Sequence, residues 1–171
     1  YRAMAMHLVL EFLRTSFFTK AQQESGQNRL FYVDEAQILM EQPETAHFLE
    51  FTARTCRKYG IGLTVMTQNV GVFVLTDEGK DNKIGQGILS NCSIKVLLKQ
   101  QASESEAIQR AFRLTQGELH RLLASGAGEG LIYVGDEMGW FSAKNMASEL
   151  EHAMLTTTIS ERAELAARER E

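Results

Sequence analysis

Apolar and polar positions change period several times along this chain, and each change marks an element. Between residues 3 and 23, Ala5, Leu8, Val9, Phe12, Leu13 and Phe17 recur every three or four positions. That spacing predicts an amphipathic helix with one buried stripe. A polar turn at 24–28 leads into Leu30, Phe31, Tyr32 and Val33, an unbroken apolar run that predicts a strand buried on both faces. Residues 36–40 begin a helix or a single turn. Pro43, the only proline, suits the first turn of the next helix, which runs to about Tyr59 and is stopped by Gly60. Phe48, Leu49, Phe51 and Thr52 give that helix an apolar side.

A second buried strand is predicted at 63–66. The long segment 70–87 mixes glycine with charge; its VGVFVL part reads as a short helix or a docked segment, and 84–89 reads as helical, stopping near Asn91. At 94–98 a third strand alternates Lys95 and Lys99 with Ile94, Val96 and Leu98, the mark of one less buried face or an edge position. Ser103 with Glu106, and Thr115 with Glu118, form capping-box patterns for helices ending near Phe112 and Ser125. A glycine-rich link at 125–130 precedes a strand at 131–134, a Gly135-Asp136 hairpin turn and a strand at 138–142. From Lys144 the sequence turns helical, and beyond Thr158 it becomes a charged, alanine-rich tail, a solvated terminal helix or a frayed end.

Strands separated by helices predict an α/β domain with a mostly parallel sheet. In such a sheet the carboxyl ends of successive strands share one edge, where ligands bind. Asp34 and Glu35 follow the first strand directly, and Thr67-Gln68-Asn69 follow the second. An unpaired carboxylate in the core costs several kcal/mol or takes up a proton, so the acidic pair must face water, a cation or a metal. The pattern has the shape of a Walker B element: Asp34 to hold the water shell of a nucleotide-bound Mg²⁺, Glu35 to orient or deprotonate the attacking water. Gln68 is placed to sense a terminal phosphate, with Thr67 in support. Arg57, with Arg54 competing, is the candidate arginine finger toward a neighbouring subunit's nucleotide. The plainer alternatives are a solvated acidic turn, a loop-forming amide and simple charge complementarity at a helix end.

Composition narrows the choice. Of 171 residues 44% are apolar and 23% charged, an ordinary globular balance with room for one core. The net charge of −4 argues against a broadly basic nucleic-acid surface. Cys56 and Cys92 lack CxxC spacing and read as reduced, packed thiols. His7, His47, His120 and His152 lack metal-ligand spacing. No apolar run approaches a membrane span, and the first residues do not read as a signal peptide. No GxxxxGK[ST] occurs; the only Gly-Lys pair, Gly79-Lys80, is followed by Asp81. Either the phosphate-cradling loop lies upstream of Tyr1, or this is not a working ATPase.

Four blocks, FYVDEAQIL, RTCRKYGIGLTVMTQN, ILSNCSIKVLLKQ and FRLTQGELHRLLASGAGEGLIYVG, occur in that order. Together they resemble the carboxyl-terminal half of the ATPase domain of conjugative-transfer and type IV secretion traffic ATPases, within the HerA–FtsK group of ring-forming motors. The resemblance spans roughly residues 1–157, leaving 158–171 as the charged tail. It implies a RecA-like P-loop NTPase core lacking its Walker A segment. It matches Asp34 and Glu35 to the Walker B pair, Gln68 to the glutamine after the next strand, and Arg54, Arg57 and Lys58 to the basic cluster where a finger is expected. Gln100 matches the glutamine closing the third block, a nucleotide-side position, and Glu129 lies in the fourth. The resemblance further implies ATP and Mg as cofactors and a hexamer or dimer docked at the cytoplasmic face of an inner-membrane secretion channel, working with other channel subunits on protein or DNA. Gln37 departs from the aromatic frequent there. Two other readings remain open: a DEAD/DEAH-type helicase, against which Met66-Thr67-Gln68 stands in place of a Ser-Ala-Thr element, and a non-enzymatic assembly module of degenerate NTPase fold.

Overall fold

The computed structural model describes residues 2–76, 78–143, 148 and 151. The expected helix from Lys144 and the tail beyond Thr158 lie outside the described residues apart from Ser148 and Glu151.

Strand β1 (Arg29–Val33) pairs in parallel with β2 (Ile61–Val65), with Phe31 beside Leu63 and Val33 beside Val65. A parallel pair needs a crossover. It is supplied by α3 (Gln37–Met40), α4 (Pro43–Thr55) and a 3-10 turn, Cys56–Tyr59. Pro43 occupies the first turn of α4, as its missing N–H predicts. Thr45, buried in the same turn, donates its hydroxyl to the Gln42 carbonyl at 3.0 Å and fixes the entry to the helix. Ala46, Leu49 and Thr52 form the buried face. Gly60 ends the crossover at φ 66°, a left-handed turn that glycine adopts without Cβ strain.

Two short helices follow β2. In α5 (Gly71–Val74), Phe73 and Val74 are buried, so the VGVFVL segment is both a helix and docked. Helix α6 (Lys83–Asn91) starts at Asn82, whose side chain accepts the Gly85 N–H at 3.1 Å and donates to the Val72 carbonyl at 2.7 Å. Leu49, Phe73, Ile88 and Ala36 make the core beneath the parallel pair, with Val33 and Val65 packed on it.

The second half is a three-stranded antiparallel sheet in the order β3 (Ile94–Leu98), β4 (Glu129–Val134), β5 (Glu137–Ser142). Between β3 and β4 lie α7 (Ser105–Phe112) and α8 (Gln116–Ala124). Their residues Ile108, Leu119 and Leu122 pack with Leu97, Leu131, Val70 and Val74 into a second core. Thr115 and Glu118 close the reciprocal capping box that the sequence predicts. Ser103 makes no such box: a 3-10 turn, Ala102–Glu104, enters α7 without a side-chain cap.

Several expectations are corrected. The sheet is not mostly parallel: among the described residues only β1 and β2 run parallel, while the tight Gly135-Asp136 turn forces β5 back along β4 and β3 joins them antiparallel. β1 is not buried on both faces: Leu30 is 72% exposed and Tyr32 60%, because among the described residues helices cover one side only. β3 is at a sheet edge, as its lysines predict, yet its exposed residues are Ile94, Val96 and Leu98, while Leu97 is buried. The amino-terminal helix breaks in two, α1 (Arg2–Phe17) and α2 (Lys20–Glu24), with Thr19 capping the second. On α1, Leu8, Val9 and Phe12 face solvent, Leu13 and Phe17 are half-buried, and Leu10, off the predicted stripe, is buried, so the stripe is only partly covered among the described side chains; Ala5 lies outside them. Phe18 does pack, ring to ring, on Phe51 at 5.6 Å and Tyr59 at 5.4 Å.

Candidate functional site at the carboxyl end of the parallel pair

Parallel hydrogen bonding continues past the end of β1: Met66 N–H donates to the Val33 carbonyl at 2.8 Å, and Ala36 N–H donates to the Met66 carbonyl at 2.9 Å. Ala36 is fully buried. The chain must therefore pass from the strand to a core position within three residues, and it does so by turning sharply at Glu35. Glu35 has φ 51°, left-handed for a residue with a side chain. That conformation costs on the order of 1–3 kcal/mol and persists only where surrounding contacts enforce it. Here the two flanking backbone bonds to Met66 enforce it. The turn leaves Asp34 exposed and Glu35 half-buried, side by side at the strand end.

Both oxygens of Glu35 are engaged. Gln68, just past β2, donates its side-chain amide to Oε1 at 2.5 Å. Gln37, on the first turn of α3, donates its amide to Oε2. Gln37 in turn accepts the Thr67 hydroxyl at 2.8 Å through its own oxygen. The Asn69 N–H donates to Thr67 Oγ1 at 3.2 Å and shapes the loop that carries Gln68. Asp34 Oδ1 accepts the Glu35 N–H at 2.9 Å. Asp34 makes no ion pair among the described residues.

This donor set suits one kind of metal. No group of three His, Cys, Asp or Glu side chains capable of holding an ion exists among the described residues. A single exposed carboxylate is what a hydrated Mg²⁺ needs when phosphates supply its other ligands. Asp34 is such an exposed carboxylate.

The remaining predicted residues are not gathered here. Arg54, at the end of α4, pairs with Glu50 at 3.5 Å and lines a shallow cleft with His47, Phe51 and Thr55. Arg57 lies in the 3-10 turn before β2. Both arginines therefore sit near the amino end of β2, about 15 Å of strand from the Glu35 edge. Gln100 follows β3 in the other sheet, and its amide donates to the Leu98 carbonyl at 2.8 Å. Glu129 accepts the Gly126 N–H at 2.8 Å and closes the turn into β4, beside a groove lined by Arg121 and Trp140, whose guanidinium and ring stack at 4.2 Å. Sequence reasoning missed Gln37 as a partner of Glu35. The signal available was an amide two residues after the glutamate, at the start of a helical turn.

A parallel strand pair over helices, with an acidic strand end bonded to an amide just past the neighbouring strand, is an α/β arrangement of the kind in which P-loop NTPases hold metal and attacking water. Comparison with known proteins agrees. The model of the TraG P-loop domain matches residues 4–133, and the chain belongs to that family, among the conjugative-transfer and type IV secretion traffic ATPases. It is similar to the structure of VirB4 of Thermoanaerobacter pseudethanolicus, with 28% identity, a TM-score of 0.67 and coverage of 86% of this chain. The chain spans 36% of the length of that VirB4 chain. No curated protein sequence matches it. The family assignment favours the traffic-ATPase resemblance over the helicase one.

Proposed function

We propose that residues 1–157 form the carboxyl-terminal part of a RecA-like ATPase domain, with 158–171 as an appended tail, in a motor subunit of a type IV secretion or conjugative DNA-transfer apparatus. The observation that carries this reading is the meeting of Asp34, Glu35 and Gln68 at one strand-end edge, across thirty-three residues of sequence. When bound, Mg·ATP supplies a polarised terminal phosphoryl group. Asp34 holds the water shell of the metal. Glu35 orients the attacking water and receives its proton. Gln68 exchanges its bond to Glu35 for the terminal phosphate or the water, so its position reports on nucleotide state. The 171 residues hold no GxxxxGK[ST] phosphate-cradling loop of their own.

Arg57, or Arg54 beside it, lies too far from its own Glu35 to act in the same site. This placement suits a finger that completes a neighbouring subunit's site in a hexamer or dimer. Gln100, which the family resemblance assigns to the nucleotide side, follows β3 in the other sheet and bonds back to the Leu98 carbonyl. The assembly works at the cytoplasmic face of the inner membrane with other channel subunits, on protein or DNA; no helix among the described residues is long and apolar enough to cross a membrane.

The test is ATP hydrolysis by the full natural polypeptide and its Glu35→Gln variant. Glu35→Gln binds ATP and fails to turn it over; unchanged turnover removes Glu35 as the catalytic group. Arg57→Ala abolishes hydrolysis in the oligomer and spares ATP binding. Equal loss in an isolated monomer refutes the finger acting between subunits.

A further inference from the structure

Glu35 is the group on which the proposed hydrolysis turns, and the structure shows how it is held. We propose that Gln37 is a positioning residue for Glu35, fixing one carboxylate oxygen so that the other can be exchanged between Gln68 and the attacking water. The inference rests on the ATPase reading above.

Three observations carry it. First, Gln37 is bonded at both ends of its amide: its nitrogen donates to Glu35 Oε2, and its oxygen accepts the Thr67 hydroxyl at 2.8 Å. A merely local helix-turn contact explains the first bond. It does not explain the second, which bridges thirty residues of sequence to the loop leaving β2. Second, the two donors to Glu35 differ in setting. Gln37 is half-buried on α3, directly after the buried Ala36, whereas Gln68 is exposed on a loop. Gln68 is therefore the donor free to leave, and Gln37 the one that stays. Third, Glu35 has left-handed backbone, so its side chain projects from a turn and not from the regular strand. A flexible side chain on such a turn samples several staggered rotamers unless its end is tied.

The consequence is a division of labour on one carboxylate. While Gln68 rests on Oε1, Glu35 is held at both oxygens. When Gln68 turns to a terminal phosphate, Oε1 opens to water and Gln37 alone keeps the carboxylate aimed. Thr67 keeps Gln37 aimed in its turn. No bond between Gln37 and nucleotide or metal is needed, so its loss acts on the chemical step and not on substrate binding.

The experiment uses the full natural polypeptide. Gln37→Met keeps length and removes both bonds; Gln37→Glu keeps the acceptor toward Thr67 and sets a negative charge against Glu35. Hydrogen bonds to charged groups are strong enough that kcat should fall roughly tenfold in Gln37→Met and further in Gln37→Glu, with KM for ATP unchanged within about twofold. Thr67→Val should also lower kcat, and in the double variant Gln37→Met/Thr67→Val the two losses should combine to less than their product, because the Thr67–Gln37 bond is shared. A second readout needs no turnover: in nucleotide-free protein, the Gln37 side-chain amide NMR signals should shift with Glu35→Gln and with Thr67→Val.

Unchanged kcat in folded Gln37→Met, a loss confined to KM, or amide signals indifferent to both partners overturns the proposal. Should Gln37→Met fail to fold, Thr67→Val and the amide signals decide it alone. Glu35→Gln run in parallel separates the two readings. If it hydrolyses ATP normally, the ATPase role of Glu35 falls and this proposal with it. If it is inactive while Gln37→Met is fully active, only the role of Gln37 falls.

Discussion

Gly85→Ala offers a sharp test of the packing that supports the site. Gly85 is in α6, where alanine outranks glycine by about 1 kcal/mol in helix propensity. Sequence alone therefore predicts stabilisation. The structure predicts the reverse. A Cβ built on Gly85 would meet the Phe73 carbonyl oxygen at 2.2 Å and Phe73 Cα at 2.5 Å. Carbon and oxygen normally approach no closer than about 3.3 Å, so α5 and α6 must separate by about 1 Å. They are not free to do so. Asn82 ties Val72 through its side chain at 2.7 Å and Val74 through its backbone at 2.8 Å, and Phe73 and Val74 are each 2% exposed. The clash is with backbone, which no rotamer change relieves, so its cost is at the upper end of the ~1–3 kcal/mol for overpacking. Subtracting the propensity gain leaves a net loss of about 2 kcal/mol, or a fall in Tm of about 4–8 °C for a chain of this size. Thermal unfolding followed by circular dichroism reads it. Gly117→Ala is the matched control: it lies in α8 with nothing within 4 Å of the added Cβ, so it should leave Tm unchanged or raise it. An unchanged or higher Tm for Gly85→Ala would refute the reasoning.

Two further outcomes are expected. Ile108→Ala empties a fully buried position in the second core and should cost about 3 kcal/mol, read as a lower urea midpoint at constant slope. The Thr115 N–H and hydroxyl hold the Glu118 carboxyl below its ordinary range. Its folded value is lowered, so the stabilisation it lends α8 is present above the unfolded carboxylate range near pH 4.3 and is lost as pH falls through the folded value. Stability curves of the protein and of Glu118→Gln should therefore differ most above about pH 5 and converge in acid; a gap that widens in acid would refute the sign.

Local chemistry was legible in the sequence wherever it involved few residues close in the chain. Pro43, Gly60 and the Thr115–Glu118 box each act within one turn, and each is found as expected. The meeting of Glu35 with Gln68 was legible too, because two strands joined by a helical crossover must run parallel and end on one edge. Burial was less legible. Leu30-Phe31-Tyr32-Val33 is apolar at every position, so its pattern carries no information on which face a helix covers. The stripe of Leu8, Val9 and Phe12 has helical spacing, but spacing cannot tell an occupied face from an open one. The Gln37 bond depends on the left-handed turn at Glu35, which brings together side chains that a regular strand or helix would point apart.

The open faces have a thermal consequence. On β1, Leu30 and Tyr32, and on the second sheet Ile94, Val96, Leu98 and Val134, remain more than half exposed to water in the native state. Hydration of apolar surface that is already wet does not change on unfolding, and it is newly wetted apolar surface that raises the heat capacity. The chain by itself should therefore unfold with a smaller heat-capacity increment than a chain of equal length with both sheet faces covered. Its curve of stability against temperature is correspondingly flatter, with cold weakening it less than it would a fully layered domain.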